Sequence, residues 1–547
     1  MQLKKEINIL TIIPARGGSR GIPRKNLRPL NGIPLIYYSI QTALNSEYKM
    51  DVYVSSDDDE ILMFAERFGA FKHKRDTKLA KDDTTLDPVI YNAFIQIQKE
   101  QNKIYQYVIT LQPTSPLLNT TSLDEAISKI IKDENTDVIL SAKERKHLSW
   151  KKISGKYVPT YKERLNRQYL DEIYEETGAF FICKAENLLK FKKRITGNVD
   201  IFILNKEEGI DIDDFDDWAL SEYYLRRKKI LFVVTGNQNV GLGHVYRSLI
   251  LAHEILNHEI VFLFDNESKL GFDKLSEYNF KTYIQSHENI IEDIKTLNPH
   301  IVINDILDTE KNYIIELKKF GIKIVNFEDV GAGAGLADLV VNALYPEKKQ
   351  MPNHYFGYEY FCARDEFINS QIKKIAPVKN ILISFGGVDT NNYTFKVLEA
   401  IYLYCIKNNI KITIVEGIGY KFHNSIKEFH NIDVFKNISN ISDFFFKADI
   451  ILTSAGRTVY EIACIGTPMI ILAQNKRELS HLFASDENGF INLGLGTKVS
   501  KDQILQVFKN LVNDFKGRQK MNKKMLSFDL KNGKKRTLNL INNIINQ

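Results

Sequence analysis

Cysteine is scarce in this sequence: four occur among 547 residues, and none forms a Cys-x-x-Cys pair. Such wide spacing argues against a disulfide framework and against a zinc site. We interpret all four as reduced, mostly buried thiols: Cys183, Cys362, Cys405 and Cys464.

Long apolar runs are missing as well. The first run, Ile7–Ile13, ends at a proline and an arginine, which is typical of a buried strand and not of a signal peptide. No later run approaches the roughly 18 residues that a membrane-spanning helix needs. We therefore expect a cytoplasmic protein without a membrane partner.

A strong excess of one charge is also absent. The 74 basic and 68 acidic residues leave a net charge of +6, which is too small to indicate nucleic-acid binding. A mild positive balance suits small anionic substrates if the positive charge is concentrated in clefts. We expect such substrates and no nucleic-acid partner.

The chain is too long for one hydrophobic core, so several globular units are expected. Short apolar runs alternate with helical patterns throughout, which predicts parallel α/β sheets. We place the end of the first unit at a run of four basic residues, 226–229. A new predicted strand, Ile230–Val234, and a second glycine-rich turn follow this run directly. We predict a domain at 1–228, followed by two α/β lobes at 229–375 and 376–547.

The first glycine-rich loop, Ile13–Asn26, follows the first predicted strand. Its glycines let the backbone approach a phosphate closely, and Arg16, Arg20 and Lys25 can neutralise it. The loop matches neither the P-loop pattern nor the dinucleotide pattern Gly-x-Gly-x-x-Gly. An ATPase or a dinucleotide enzyme is therefore disfavoured.

Two carboxylates, Asp211 and Asp213, are separated by one residue. In an extended segment both point to one face, while Ile210 and Ile212 point to the other. Such a pair suits Mg²⁺ that bridges triphosphate oxygens. The alternative is that these acids cap the helix that starts near Phe215.

Six further motifs accompany this loop in order: Ser55–Asp57, Asp83–Thr85, Leu111–Pro116, Arg167-Gln168, Gly178–Phe181 and Gly209–Asp214. Together they resemble the CMP-N-acylneuraminate synthetases, which have a nucleotidyltransferase-type α/β fold. The resemblance covers roughly residues 7–225. It implies Mg²⁺-dependent transfer of CMP from CTP to a 2-keto sugar acid.

The same resemblance implies roles for individual residues. Gln112 and Arg167 would hold the sugar acid, with the arginine pairing with its carboxylate. One departure leaves the sugar's substituents open, since Thr177-Gly178 stands where the family usually has Asn-Gly. The residues placed on CTP are Arg16, Gly17, Ser19, Arg20, Lys25 and Asn26 on its phosphates and ribose, and Arg75 and Thr84 beside the nucleoside.

The second glycine-rich turn places His244 directly after Gly241-Leu-Gly243. In the first turn of the next helix the dipole disfavours the charged ring. A neutral histidine that faces a cleft can act as a general base toward water. The alternative is a packed or capping histidine.

Two distal loops also follow predicted strands. One is Ile383–Asp389, which contains Gly387, and the other is Ser454–Glu461. The second offers Gly456, Arg457 and Thr458 at a helix N-terminus, which suits a pyrophosphate. Glu461 could accept hydrogen bonds from ribose hydroxyls, although Thr458-x-x-Glu461 could instead form a capping box.

Residues 230–500 resemble the two-lobed GT-B nucleotide-sugar enzymes, and among them the UDP-sugar hydrolases of pseudaminic acid synthesis. The resemblance rests on the Gly-x-Gly-His-x-x-Arg, Phe-Gly-Gly-x-Asp and Ser454–Glu461 motifs. It implies that His244 is catalytic and that free sugar and UDP are the products. Gln474-Asn475 departs from the family's Asn-Gln. A GT-B glycosyltransferase and a non-catalytic UDP-sugar-binding module remain open as alternatives.

We therefore predict a bifunctional bacterial enzyme of nonulosonic acid biosynthesis. Its substrates would be CTP with a nonulosonic acid, and a UDP-linked diacetamido-trideoxyhexose. The two reactions are not consecutive, since a separate synthase must add three carbons between them. A homodimer through the N-terminal domain is one assembly that we consider.

Overall fold

The computed structural model describes residues 7–19, 21–81, 83–238, 240–345, 351–436 and 438–547. It divides into two compact units, Met1–Arg227 and Lys228–Gln547, which are treated separately below. In the part of the chain that is described, no helix has the length and apolar character needed to cross a membrane.

The described residues of the first unit form eleven strands and six α-helices. The strands are β1 (Ile9–Pro14), β2 (Pro29–Leu30), β3 (Ile33–Pro34), β4 (Met50–Ser56), β5 (Phe71–Lys74), β6 (Tyr107–Leu111), β7 (Val138–Glu144), β8 (Trp150–Ile153), β9 (Lys156–Pro159), β10 (Tyr174–Lys184) and β11 (Val199–Leu204). The helices are α1 (Ile36–Leu44), α2 (Asp59–Arg67), α3 (Leu86–Gln101), α4 (Thr120–Lys132), α5 (Ala185–Phe191) and α6 (Phe215–Arg226).

Seven of these strands form one sheet in the order β11-β7-β10-β6-β1-β4-β5. Strand β10 runs antiparallel to both of its neighbours, and the other pairs are parallel. The pairing of β10 with β7 shifts register between Glu176 and Phe181. This irregularity interrupts the alternation of side chains, which explains why the sequence pattern did not predict β10.

Both faces of this sheet are covered, as the continuous apolar strands require. One core packs α1, α2 and α4 against the sheet through residues such as Ile40, Ile61 and Ile127. The other core contains Phe94 of α3 and Leu188 of α5. Because β1, β4 and β6 are parallel, their carboxyl ends lie at the same edge of the sheet, where the glycine-rich loop begins.

In the second unit, thirteen strands and thirteen α-helices lie within the part of the chain that the structure describes. The strands are β12 (Lys229–Val234), β13 (Glu259–Phe264), β14 (Lys281–Ile284), β15 (Ile301–Asp305), β16 (Lys323–Phe327), β17 (Leu339–Asn342), β18 (His354–Phe356), β19 (Asn380–Ile383), β20 (Lys411–Glu416), β21 (Ile432–Lys436), β22 (Ile450–Thr453), β23 (Met469–Ala473) and β24 (Ile491–Leu495). The helices are α7 (Gly243–Glu254), α8 (Lys269–Ser276), α9 (Ile290–Leu297), α10 (Lys311–Lys319), α11 (Asp365–Ile368), α12 (Tyr393–Lys407), α13 (His423–Ile426), α14 (Ile441–Lys447), α15 (Thr458–Ile465), α16 (Lys476–Leu479), α17 (Lys501–Asn513), α18 (Phe515–Leu526) and α19 (Gly533–Ile545).

Two all-parallel sheets divide the second unit into lobes. Their strand orders are β14-β13-β12-β15-β16-β17-β18 and β21-β20-β19-β22-β23-β24. Each order reverses direction once, between β12 and β15 in the first lobe and between β19 and β22 in the second. Such a point opens a crevice at the carboxyl ends of the strands, where doubly wound folds bind ligands. The predicted GT-B architecture of two such lobes is confirmed.

The last helix, α19, does not remain with the second lobe. Its apolar residues Ile541, Ile544 and Ile545 join the core that contains Ile230 of the first lobe. Lys534 of α19 also pairs with Glu254 of α7, with an Nζ–Oε1 distance of 2.6 Å. The predicted lobe 376–547 therefore differs from the structure at its end, because this amphipathic helix covers apolar surface of the other lobe.

Candidate active sites

The glycine-rich loop of the first unit is fixed to the ends of two strands. The Ala15 N–H donates to the Ser55 carbonyl at 3.0 Å, and the Gly17 N–H donates to Asp57 Oδ1 at 3.1 Å. Asn26 closes the loop from the other side, since its Nδ2 donates to the Arg16 carbonyl at 3.0 Å. Ser19 is half-buried in this loop, and Arg20 lies outside the described residues.

The acidic segment packs directly beside this loop. Ile212 is fully buried in a small core with Ile22 and Trp218, so the two carboxylates that flank it emerge on the other side. Lys25 Nζ donates to the Ile212 carbonyl at 2.6 Å. Burial lowers the pKa of Lys25, while Asp213 and Asp211 oppose that shift. The structure thus brings Lys25 and both acids together.

Helix α6 is capped by other acids. Asp214 Oδ1 accepts from the N–H groups of Asp216 and Asp217 at 2.9 and 3.0 Å, and Asp217 Oδ2 accepts from the Asp214 N–H at 3.3 Å. Together these form a complete capping box. Asp214 and Asp217 therefore cap the helix, and the carboxylates of Asp211 and Asp213 take no part in this capping box.

The carboxylate pair has the character of a cation site. Among the described residues, Asp211 Oδ1 is buried and has no hydrogen-bond partner. Burial raises the pKa of Asp211, and the nearby charge of Asp213 adds to the effect. Oxygen donors of this kind fit a hard divalent cation. The described residues contain no cluster of three or more ligating side chains, so phosphate and water oxygens would complete the coordination.

Arg75 lies buried beside the loop. Its Nη2 donates to the Ser55 carbonyl at 2.6 Å. Burial lowers the pKa of Arg75 to about 10, Asp57 opposes that shift, and Arg16 adds to it. The positive charges of Arg75 and Arg16 therefore act on each other beside the loop. Thr84 lies in the turn before α3, where its N–H donates to the Lys81 carbonyl at 3.2 Å.

A cavity of about 860 Å³ extends from the acid pair, and Arg167, Asp211 and Asp213 line it. Gln112 lies at its edge: a Cβ on Gly178, which has φ +73°, would be 2.8 Å from Gln112 Nε2 and 3.6 Å from Asp211 Oδ2. The predicted sugar-acid residues thus lie near the predicted metal ligands. Thr177 is buried beside this cavity, and its hydroxyl donates to Ser141 Oγ at 2.8 Å.

In the second unit, His244 occupies the first turn of α7 and its Nδ1 bonds to Asp305 Oδ1. Asp305 is fully buried at the end of β15, the strand beside β12 at the point where the strand order reverses. In the tautomer that donates Nδ1–H to this carboxylate, Nε2 is the ring nitrogen left to accept a proton. The ring faces a cavity of about 180 Å³.

Arg247, one turn after the histidine, holds this carboxylate in place. Its Nε donates to Asp305 Oδ2 at 2.8 Å, and its Nη1 donates to Glu328 Oε1 at 2.6 Å. Burial alone would raise the pKa of Asp305, but the charge of Arg247 and the hydrogen bonds from Arg247 and His244 bring it well below its usual range. Asp305 is therefore an anion at neutral pH and orients the histidine.

The distal loops of the second lobe reach the same cavity. Gly387, Gly456, Arg457 and Thr458 line it together with His244. A Cβ on Gly243 would lie 3.0 Å from Arg457 Cδ, so the arginine packs against the histidine turn. Arg457 Nη2 also donates to the Cys362 carbonyl at 2.9 Å.

Glu461 lines an adjoining cavity with Arg457 and Thr458. Its Oε1 accepts from Arg364 Nε at 3.2 Å. Helix α15 has no side-chain capping bond, so the alternative of a Thr458–Glu461 capping box is wrong. Glu461 therefore faces the cleft and keeps a carboxylate oxygen for a ligand.

A family model described as Cytidylyltransferase matches residues 10–223. The pseudaminic acid cytidylyltransferase of Campylobacter jejuni is 36% identical over 215 residues, which cover 38% of this chain and 92% of that protein. The chain belongs to the cytidylyltransferase family. Cytidylyltransferases of this kind generally use a divalent metal ion.

Two further relatives differ in how much of each chain is matched. One is matched over nearly its whole length, and the other over only part of its length. A Helicobacter pylori protein named pseudaminic acid cytidylyltransferase and UDP-2,4-diacetamido-2,4,6-trideoxy-beta-L-altropyranose hydrolase is 24% identical over 527 residues, covering 92% of this chain and 94% of that protein. The uncharacterized protein MJ1062 of Methanocaldococcus jannaschii is 30% identical over 272 residues. That match covers 45% of this chain but only 56% of the relative.

Sequence reasoning missed two residues that the structure places in these sites. Lys143 lines the cavity of the cytidylyltransferase unit with Arg167, and its Nζ donates to the Gly209 carbonyl at 3.2 Å. Asp305 orients His244. Each is a charged residue at or near the carboxyl end of a buried strand, and that position was the available signal.

Proposed function

We propose that this chain is a bifunctional enzyme of nonulosonic acid biosynthesis. Its cytidylyltransferase unit transfers CMP from CTP to a 2-keto sugar acid, and its second unit hydrolyses a UDP-linked diacetamido-trideoxyhexose to free sugar and UDP. The observation that carries the proposal is that each activity named for the Helicobacter pylori relative has a separately built site in this chain.

In the cytidylyltransferase unit, Arg16, Lys25 and the backbone of Gly17 bind the CTP phosphates, since they converge on the same strand edge. Asp211 and Asp213 would hold Mg²⁺. Neutralisation of the triphosphate charge and polarisation of the α-phosphate would be the chemistry that this ion supplies when bound. Arg75, with Thr84, lies on the nucleoside side.

The sugar acid occupies the neighbouring cavity. Arg167 pairs with its carboxylate and Gln112 orients it, so that the anomeric hydroxyl faces the α-phosphate of CTP. A new P–O bond then forms to that hydroxyl, the bond to pyrophosphate breaks, and the hydroxyl proton is lost to solvent. Positioning and fixed charge supply most of the rate acceleration in such transfers.

In the second unit, His244 acts as the general base. Asp305 fixes the tautomer by accepting from Nδ1–H, so Nε2 takes a proton from water. That water attacks the anomeric carbon, and the carbon–oxygen bond to the diphosphate breaks to release UDP. Arg247 is a positioning residue, because it acts on the histidine through Asp305.

UDP binds on the second lobe. Gly387, Gly456, Arg457 and Thr458 receive the diphosphate, supported by their common cavity and the cationic guanidinium. Glu461 accepts from the ribose hydroxyls, supported by its place in the adjoining cavity.

A homodimer through the cytidylyltransferase unit completes the proposal. The hairpin of β8 and β9 exposes large apolar side chains, including Trp150 and Tyr157, and exposed apolar patches mark interaction surfaces. Exchange of both residues for serine should shift the mass measured by light scattering from dimer to monomer.

The test of the proposed function offers CTP with a panel of nonulosonic acids and identifies the CMP-sugar by mass. A pseudaminic-type acid is expected to be the preferred substrate. Release of UDP from a UDP-sugar without any added acceptor distinguishes a hydrolase from a glycosyltransferase or a binding module. Failure to form any CMP-sugar would contradict the first activity, and dependence of UDP release on an acceptor would contradict the second.

A further inference from the structure

A carboxylic acid that the mechanism does not use lies in the UDP site. Glu478 of α16 lines the same cavity of about 180 Å³ as His244, Arg457 and Thr458. Its Oε2 accepts from the Gln474 N–H at 2.7 Å and from the Ala455 N–H at 3.3 Å. Those groups follow β23 and β22, so the carboxyl connects the loop after β23 to the loop that carries Gly456 and Arg457.

The other carboxyl oxygen of Glu478, Oε1, lies near Gly456. Glu478 Oε1 lies 3.4 Å from the position that a Cβ on Gly456 would occupy. Gly456 begins the loop that presents Arg457 and Thr458 to the cavity. A diphosphate bound there would meet Oε1, and two anions in contact with little water between them repel strongly.

The protein environment disfavours the ionised form of this side chain. Burial raises the pKa of Glu478 to about 7, the hydrogen bonds from Gln474 and Ala455 oppose that shift, and Asp389 adds to it. A neutral carboxyl group can donate a hydrogen bond, which a carboxylate cannot. At neutral pH this group is therefore poised to gain a proton when an anion arrives.

Other charged groups face Glu478 from several elements. Arg477 on the same helix is held by a bidentate pair with Asp308, and Arg457 on α15 shares the cavity. Burial lowers the pKa of the neighbouring His481 to about 4, so that ring stays neutral near pH 7. Among the described residues, the other charged or titratable side chains near Glu478 are Asp389 and Tyr393 after β19 and, on the first lobe, His244, Arg247, Glu328 and Tyr345.

We infer that Glu478 binds the diphosphate in its protonated form and donates a hydrogen bond to it from Oε1. Binding of UDP then takes up one proton from solvent, and UDP affinity falls as the pH rises. The inference rests on the proposed function, because it assumes that the diphosphate occupies the cavity shared by Gly456 and Arg457.

The experiment measures UDP affinity by calorimetry between about pH 7.5 and 9, where the phosphates of UDP are already ionised. For a linked proton, affinity of the wild-type chain should fall roughly five- to tenfold per pH unit. Glu478→Gln imitates the neutral form, so its affinity should change less than about twofold over this range and should exceed that of the wild type at the upper end. Glu487→Gln, an exposed acid outside the cavity, should behave like the wild type.

A flat wild-type profile would overturn the inference without reference to any variant. An equal pH slope in the wild type and in Glu478→Gln would overturn it as well. Glu478→Ala gives a second check, since it should also lose the slope while binding UDP more weakly. If no variant binds UDP at any pH, the proposed nucleotide site fails together with this inference, whereas binding with a flat profile removes only the inference.

Discussion

The two active sites hold their charged groups in different states. In the cytidylyltransferase unit, Asp211 keeps a buried oxygen without a partner among the described residues, and burial makes its charge unfavourable. In the second unit, Asp305 is fully buried, but Arg247 and His244 both bond to it. In the first site, bound ligands would therefore supply the missing partner of the carboxylate. In the second site, other side chains of the protein already supply the partners.

The comparison shows that an aspartate can have two different roles in an active site. A buried carboxylate without a partner destabilises the folded protein, and this cost is offset when metal and substrate bind to it. A carboxylate that is paired internally stabilises one arrangement and orients a neighbouring base. Removing the charge should thus affect activity in the first site and both stability and activity in the second.

The largest expected effect concerns the acid pair. Asp213→Asn should lower CMP transfer by a factor on the order of 10³, because a charged metal ligand becomes a neutral one of the same shape. Stability measured by urea unfolding should change little, since Asp213 is exposed. UDP release by the second unit should be unaffected.

Asp216→Asn provides the matched control, because Asp216 is an exposed acid three residues away in the first turn of α6. It should retain near wild-type CMP transfer. If Asp213→Asn also retains it in the presence of Mg²⁺, the carboxylate pair is not a metal site.

The second prediction concerns the stability of the internally paired site. Asp305→Asn should cost about 3–5 kcal/mol, because it leaves the buried Arg247 without its main partner. Asp211→Asn should cost nothing or stabilise the fold. Urea unfolding of both variants measures the contrast, and equal losses would show that the two sites do not differ as described.

The pH dependence of this contribution has a definite sign. The folded-state pKa of Asp305 is depressed, so its stabilisation is present above its unfolded pKa of about 3.9 and is lost as the pH falls toward the folded value. The wild type should therefore lose stability below about pH 4 more steeply than Asp305→Asn. Parallel acid unfolding curves would contradict the assignment.

The third prediction separates catalysis from binding in the second unit. His244→Asn should lower hydrolysis by a factor on the order of 10² while UDP affinity changes little. Arg457→Ala should weaken UDP binding roughly tenfold or more, because a charge-assisted hydrogen bond is lost. His430→Asn, on an exposed histidine far along the chain, is the control and should leave UDP release unchanged.

The smallest expected effect tests whether each site is self-contained. Residues 1–228 and 229–547, produced separately, should each fold and keep one activity within about twofold of the full chain, as independent domains do. We propose this division because the structure forms two compact units at nearly the same position. Activity that returns only on mixing the two pieces would contradict it.

Much of the fold could be predicted from the sequence. The apolar runs Ile7–Ile13 and Ile230–Val234 correspond to β1 and β12, because buried parallel strands need continuous apolar residues. The glycine-rich loops follow strands as expected. Strand β10 and the return of α19 to the first lobe could not be predicted, since a register shift and a long-range apolar contact determine them.

The candidate sites divide in the same way. Local signals indicated Lys25, Asp211 and Asp213, because close sequence spacing already places the acids on one face. The pairing of His244 with Asp305 joins residues 61 positions apart, and it depends on β12 and β15 being neighbours in the sheet. No local pattern in one sequence carries that adjacency.

The central claim, that one chain carries two nucleotide chemistries, is tested most directly with the full-length protein and both substrate pairs in one vessel. CMP-sugar is measured by mass and UDP by chromatography, with CTP and pseudaminic acid supplied beside the UDP-linked diacetamido-trideoxyhexose. We predict that the wild type forms both products, that Asp213→Asn forms only UDP, and that His244→Asn forms only CMP-sugar. Loss of both products in either variant, or absence of one product from the wild type, would contradict the account.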